Sequence, residues 1–387
     1  MKSMSLATYL AFKEVIRNRG RFLLVGLVIA LITLLVLFIA ALGEGLADSN
    51  RQYLSRLDAD LLVYLEKSDF IIPSSRVDKS TVRVIRRVEG VADAGPIAAS
   101  NTTILLPGGE ALKVSLIGVE AGTPGAPALI EGENLSGELA QEVVIDRNVI
   151  LRTDIKIGDR ITIRSTQGTS DEFYTLKVVG VTDGQLYTFA PSIFVSYSNW
   201  DQMRTKSDAE VGRESTTVNV VAVRIADGFT PETVKANILA RVENVEVADI
   251  QTAIENVPGY SAQQSTVQTQ AVFTLLIGVL VIGGFFQIQI LQKVPQIGVL
   301  KAIGASNAVV GAAAVIQIVI VTIFGVAVGG GLSYLFSLSF PPTVPIVFNG
   351  AASAIAITAL LLIGPIGGLV SIVYAVRIEP LKALRLS

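Results

Sequence analysis

The sequence of 387 residues contains no cysteine and no histidine. Without cysteine, the chain can form neither disulfides nor thiolate metal ligands. Without histidine, it lacks the commonest general base and the commonest zinc ligand, so Ser-His and Cys-His catalytic arrangements are excluded. We expect no catalytic residue, no metal site and no cofactor bound by this chain.

Charged residues are also scarce, and they are unevenly placed. Only 17% of the residues are Asp, Glu, Lys or Arg, whereas 51% are hydrophobic, which is too apolar for a soluble protein of this size. Residues 43–270 hold 21 basic and 31 acidic residues, and the rest of the chain holds 10 basic and two acidic residues. The chain thus has an acidic part and a basic part.

Long apolar runs predict transmembrane helices. Residues 22–42 are 21 residues without a charge, enough at about 1.5 Å per residue to cross a bilayer core of about 30 Å. A cleaved signal peptide is the alternative for this segment, but its apolar run is longer than signal sequences need. No charged residue occurs between 302 and 376, where prolines divide two further crossings. The sequence predicts four spans, at residues 22–42, 271–291, 308–335 and 350–373.

The positions of the basic residues predict the orientation of these spans. The segments 1–21, 292–307 and 374–387 all carry Lys or Arg, whereas the external hairpin 336–349 carries neither. Because short cytoplasmic segments are enriched in basic residues, we expect both termini and the 292–307 segment in the cytoplasm. The chain is then predicted to be a multi-pass membrane protein, and residues 1–21 are predicted to form an amphipathic segment at the bilayer surface.

The large segment 43–270 is therefore predicted to be an extracytoplasmic domain. Its pattern indicates a mixed α/β fold with two strand-helix-strand units and, between them, a β-rich insertion at about residues 130–205. The elements of the two units are predicted at residues 60–65, 79–88 and 102–106, and at residues 218–225, 231–242 and 245–250.

No energy-coupling motif is present in the sequence. The G-x-x-x-x-G-K-[ST] phosphate loop of an ATPase is missing, so ATP and Mg²⁺ would be bound by a partner subunit. The four spans contain no Asp, Glu, Lys or Arg, which argues against ion-coupled transport. Their many glycines, together with Gln287, Gln289 and Gln317, predict close helix contacts within the chain or with a second copy.

The segment QKVPQIGVLKAIGAS, residues 292–306, predicts a short amphipathic helix between two spans. Ile297, Leu300 and Ile303 have the spacing of one helix face, and Gly304 is placed to end the helix. A helix of this kind suits a groove on a partner protein.

The same segment resembles a known family. QIGVLKAIGAS is similar to the E-I-G-[IL]-L-[RK]-A-[IL]-G-A-[ST] motif of the FtsX-like, MacB-type ABC transporter permeases, except that Pro295 and Gln296 stand where that family has charged residues. The C-terminal PLKALR resembles the family's P-x-x-A-L-R tail, with Pro380, Ala383, Leu384 and Arg385 in the motif positions. The order of spans and outer domain also agrees with the family.

This resemblance implies a fold of four transmembrane helices plus an extracytoplasmic domain, in which a two-part βαβ porter-like lobe carries the β-rich insertion. It implies a location in a bacterial plasma (inner) membrane. The implied partners are two copies of an ABC ATPase subunit, a second permease copy as a homodimer, the lipid bilayer and a periplasmic adaptor, with no nucleic acid. The residues expected to couple the permease to the ATPase are Lys293, Gln296, Ile297, Leu300, Lys301, Ile303 and Gly304.

Three functions are compatible with the sequence. The first is mechanotransmission, in which ATP-driven motion reaches the outer domain and exports or extracts a lipid, lipoprotein, peptide or small molecule. The second is FtsX-like regulation of a cell-wall hydrolase. The third is a ligand-sensing receptor, which the short cytoplasmic tails disfavour.

Overall fold

The computed structural model describes residues 2–106, 109–207, 209–212, 215–341 and 344–378, with side chains from residue 7 onward. It divides into two compact units. The membrane unit comprises residues up to Gly45 and from Gln264 onward, and the α/β unit comprises Leu46–Gln263. The α-helices are α1 Lys2–Arg17, α2 Arg19–Ser55, α3 Lys79–Ile85, α4 Arg147–Arg152, α5 Tyr197–Met203, α6 Pro231–Arg241, α7 Ile250–Glu255, α8 Tyr260–Gln292, α9 Val294–Ala302, α10 Asn307–Ser337 and α11 Gly350–Arg377.

The strands all belong to the α/β unit. They are β1 Leu61–Leu65, β2 Val77–Asp78, β3 Val91–Leu105, β4 Ala111–Val119, β5 Leu129–Gly132, β6 Glu142–Asp146, β7 Arg160–Gln167, β8 Ser170–Thr182, β9 Leu186–Tyr187, β10 Ala190–Ser196, β11 Thr217–Val218, β12 Val220–Ile225 and β13 Val245–Asp249.

Four helices, α2, α8, α10 and α11, are long and apolar enough to cross a membrane, as the sequence predicted. Their ends differ from the predicted spans. The first helix continues 13 residues past the apolar run to Ser55, and α8 already begins at Tyr260, inside a polar sequence. Hydropathy marks the bilayer boundary, whereas a helix continues until a cap or a breaker ends it.

Glycines bring the membrane helices together. Gly325 and Gly329 lie one turn apart on α10 and face α2, where a Cβ at either position would come within 2.6 Å of Ile29 or Thr33. On α11, Gly364 faces Thr322 of α10, and a Cβ at Gly367 would lie 2.7 Å from the Val279 carbonyl oxygen of α8. Small residues allow such backbone approach where no hydrophobic effect drives association.

The α/β unit has one large sheet in the order β13-β1-β12-β3-β4-β10-β6-β8-β5, with β7 pairing β3 and β8. The two predicted strand-helix-strand units are β1–α3–β3 and β12–α6–β13. Their strands form the antiparallel order β13-β1-β12-β3, so β1 and β3 run parallel on either side of β12. This is a split βαβ arrangement. Asp78 caps α3 by accepting from the Ser80 amide at 2.7 Å.

The β-rich insertion is continuous with this sheet. The first half of β3 pairs with β12, and its second half pairs with β4 and β7. The strands from β4 to β10 therefore extend the same sheet beyond β3. Side chains of β1 alternate between two hydrophobic cores, Leu61 and Val63 on one face and Leu62 and Tyr64 on the other.

Candidate coupling site

The short helix α9 connects the second and third spans and ends at Gly304. Gly304 has φ +103°, its amide donates to the Lys301 carbonyl at 3.0 Å, and the Ala305 amide donates to the Leu300 carbonyl at 3.1 Å. This pair of bonds is a Schellman motif, which requires a left-handed residue that glycine adopts without strain. The chain then enters α10 at Ser306, whose hydroxyl accepts from the Val309 amide.

The apolar residues of α9 do not form one exposed face, which corrects the sequence prediction. Ile297 and Leu300 pack against Ile290, Val310 and Ala375 inside the membrane unit. Ile303, by contrast, is 77% exposed. A helix between two spans must bury one face on its own bundle, and the periodicity alone did not show which face this is.

A different set of residues faces outward from α9. Val299 is 49% exposed, and Gln296 is exposed on the same side. Gln296, Val299 and Ile303 are spaced i, i+3 and i+7, so they form one face. Ile303 is the C-cap residue of the helix. The sequence prediction did not include Val299, because helix spacing alone does not show which side of α9 packs on the bundle.

The start of α9 is held by a polar network. Lys293 forms an ion pair with Glu14 of α1, and Gln317 of α10 donates to the other Glu14 carboxylate oxygen at 2.7 Å. Both Lys293 and Gln317 are buried, and the Lys293 ammonium also lies 5.6 Å from the ring centroid of Phe22. Lys293 therefore binds within the chain, and Gln317 contacts a helix of the same chain.

The end of α9 is held by Lys301. Its ammonium donates to the Val376 carbonyl at 2.6 Å and to the Ile378 carbonyl at 3.0 Å, at the C-terminal end of α11. The last carbonyls of a helix lack intrahelical partners and lie at the negative end of the helix dipole. A lysine there donates hydrogen bonds to these carbonyls, and its positive charge interacts favourably with the dipole.

The predicted coupling residues thus have distinct places. Lys293, Ile297, Leu300 and Lys301 attach α9 to α1, α10 and α11, Gly304 ends the helix, and Gln296 and Ile303 face outward. The C-terminal motif residues Pro380, Ala383, Leu384 and Arg385 lie outside the described residues. The arrangement is a short helix with one exposed face, bound at its start to Glu14 of α1 and at its end to the C-terminal end of α11.

Among residues 7–106, 109–207, 209–212, 215–341 and 344–378, no three Asp or Glu side chains cluster closely enough to hold a metal ion. Asp146 of the α/β unit is a buried acid whose pKa is shifted. Burial raises the pKa of this carboxyl, while the Asn148 amide, 2.9 Å away, lowers it in part.

These features define an integral membrane protein with four spans and a mixed α/β domain. Comparison with known proteins identifies its family. The MacB-like periplasmic core domain matches residues 22–241, and the FtsX-like permease C-terminal domain matches residues 270–380. The chain belongs to the FtsX-like, MacB-type ABC permease family and is an ABC transporter permease subunit, as its sequence motifs predicted.

Individual relatives are distant. A putative hemin transport system permease protein, HrtB, of Staphylococcus haemolyticus is 24% identical over 378 residues, 97% of this chain and 98% of that protein. The macrolide export ATP-binding/permease protein MacB of Paracoccus denitrificans is 26% identical over 385 residues, 94% of this chain and 55% of that protein. The periplasmic region of MacB from Actinobacillus actinomycetemcomitans aligns with a TM-score of 0.38 at 13% identity, covering 50% of this chain and 90% of that one.

Proposed function

We propose that this permease transmits ATP-driven motion of a separate ATPase through α9 and the spans to the α/β unit, which acts outside the membrane. The observation that carries the proposal is the combination of an exposed apolar pair, Val299 and Ile303, on a helix whose two ends are tied to other helices. A partner that pushes on this pair moves α1, α10 and α11 together, since Glu14 and Lys301 join them to α9.

The orientation follows from charge. The end of the membrane unit that carries α1 and α9 contains the basic segments, so we place it in the cytoplasm, where ATP is available. The α/β unit then lies outside, in agreement with its match to a MacB-like periplasmic core domain. That match also favours export over regulation of a cell-wall hydrolase.

We further propose a dimer of permeases with two ATPase subunits. Only 17% of the most apolar stretch of α8 is buried within the chain, compared with 50% of the corresponding stretch of α10. Leu276 and Leu280 of α8 are 53% and 65% exposed. A second copy would cover part of this surface, and a cysteine introduced at Leu280 into this cysteine-free chain would cross-link across the interface.

The cargo that these observations favour is an amphipathic small molecule taken up at the outer side, because the predicted spans contain no Asp, Glu, Lys or Arg to line a polar path. The relatives' names point to hemin or a macrolide. With neither histidine nor cysteine, the chain could ligate a haem iron only through groups such as tyrosine or methionine. If a hemin titration leaves the Soret band unchanged, a macrolide-like cargo is favoured over hemin.

The test of the coupling role uses the permease purified with its ATPase subunit. Val299→Asp and Ile303→Asp should release the ATPase or abolish its stimulation by the permease, because each buries a charge in the docked state. Leu139→Asp, which changes a 74% exposed leucine of the α/β unit, is the matched control and should leave both properties unchanged. Retention of a fully coupled ATPase by Ile303→Asp would contradict the proposal.

A further inference from the structure

A cleft of about 530 Å³ opens between α1, the end of α8, α9, α10 and α11. Its wall has two chemically different parts. Lys13 and Arg17 of α1 line one part, and apolar residues of the spans, including Ile290, Val310 and Ala314, line the other. The cleft lies entirely within the membrane unit.

The charge of the cleft is positive. Glu14 is the only acid in its lining, and it is already bound by Lys293 and Gln317. Lys13 donates to the Tyr9 hydroxyl at 3.3 Å. In the part of the chain that the structure describes, no carboxylate pairs with Lys13 or Arg17. Two cations one helical turn apart are therefore left to face an anion.

Helix α1 indicates where the cleft lies relative to the bilayer. Tyr9, Phe12 and Ile16, spaced i, i+3 and i+7, are 59%, 59% and 58% exposed, whereas Ala7 and Ala11 are buried in the membrane unit. An apolar stripe of this kind next to transmembrane helices lies in the bilayer interface. The adjacent cationic face of α1 is then at the level of the lipid headgroups, and the apolar wall is at the level of the acyl chains.

We propose that this cleft binds an anionic phospholipid, with the phosphate between Lys13 and Arg17 and the first part of the acyl chains along Ile290 and Val310. Basic pockets between transmembrane helices on the cytoplasmic side recognise anionic headgroups in this way. The assignment to the cytoplasmic leaflet rests on the orientation proposed above. The binding itself does not depend on the ATPase or on the coupling role.

The occupied cleft has a consequence for α9. Ile297 and Leu300, which face inward from this helix, also line the cleft. A bound lipid would therefore contact the inner side of the helix whose outer side we propose to meet the ATPase, and it would support the helix from beneath.

The experiment is native mass spectrometry of the full-length chain in a zwitterionic detergent, titrated with phosphatidylglycerol or with phosphatidylcholine of the same acyl chains. The wild type should retain phosphatidylglycerol preferentially. Lys13→Gln combined with Arg17→Gln should weaken phosphatidylglycerol binding by roughly 25-fold, about fivefold for each basic residue. The matched control is Arg19→Gln combined with Arg21→Gln, two exposed basic residues that do not line the cleft.

A second variant tests the apolar part without changing charge. Ala313→Leu adds bulk to the cleft wall and should lower phosphatidylglycerol binding, whereas Val315→Leu on the exposed side of the same helix should not. Equal retention of the two lipids, or equal binding by the Lys13/Arg17 variant and the wild type, would overturn the proposal. Loss of ATPase association with unchanged lipid binding in that variant would also overturn it and assign the cleft to a protein partner.

Discussion

Replacing Lys301 by methionine should detach the end of α9 from α11. The side chain keeps its length but loses the two hydrogen bonds of the ammonium to the Val376 and Ile378 carbonyls. Hydrogen bonds to a charged group contribute about 1.5–3 kcal/mol each, and the half-buried position favours the lower value because water can replace the lysine. Lys301→Met should therefore cost about 3 kcal/mol locally.

The assay is hydrogen–deuterium exchange of the purified permease. A local cost of about 3 kcal/mol corresponds to roughly a 100-fold faster exchange of amides in the last turns of α9 and α11, if opening is in rapid equilibrium. Lys301→Arg should retain most of the protection because it keeps the charge. Lys293→Met should loosen the start of α9 at Glu14 and leave the end of α11 protected. Exchange in Lys301→Met within about threefold of the wild type would refute the reasoning.

Three further predictions concern single positions. Gly304→Ala should destabilise the end of α9 by about 1–2 kcal/mol, because φ is +103° there, and the loss should appear as faster exchange at residues 300–305. Gly329→Val should separate α10 from α2 and lower the melting temperature, because a Cβ there would lie 2.6 Å from the Thr33 Cβ. Asp146→Asn should stabilise the α/β unit at neutral pH, by about 1.4 kcal/mol for each unit by which burial raises the pKa of this carboxyl.

The structure supplies controls for the two glycine substitutions. Gly284 and Gly331 are helical glycines with no atom within 4 Å of an added Cβ, so Gly284→Ala and Gly331→Val should be close to neutral. An effect at these positions equal to that at Gly304 or Gly329 would contradict the geometric argument.

The sign of the Asp146 effect can be tested by pH. Because the folded-state pKa is raised, the folded protein binds more protons than the unfolded chain between the ordinary aspartate pKa of about 3.9 and the raised value. Stability from this group therefore falls as pH rises through that window and stays low above it. Fluorescence of Trp200, the single tryptophan, reports unfolding of the α/β unit within the whole chain. A wild-type stability that rises with pH relative to Asp146→Asn would contradict this account.

Patterns in short stretches of sequence predicted the individual helices and strands. The charge-free run 302–376 predicted two spans, and the alternation around β1 and β12 predicted two strand-helix-strand units. The single large sheet was not predicted, because the pairing of β3 with β12 on one half and with β4 and β7 on the other joins residues far apart in sequence. Strand order of this kind is a tertiary property.

The candidate site shows the same division. The motif around Gly304 identified α9 and its end, since a helix period and a glycine stop are local signals. The network of Glu14, Lys293 and Gln317 joins residues about 300 positions apart, so no spacing rule could reveal it. The exposed role of Val299 could not be predicted either, because it depends on which side of α9 the bundle covers.

The most direct test of the central claim is cross-linking of α9 to the ATPase subunit. Because the chain has no cysteine, single cysteines can be introduced at Val299 and Ile303, at the half-buried Leu300 as an inner-face control, and at Val315 as a control on a span. After labelling with a photoactivatable maleimide, positions 299 and 303 should each give a permease–ATPase adduct, and positions 300 and 315 should not. Adducts from position 300 but not from 303, or from none of the α9 positions, would contradict the account.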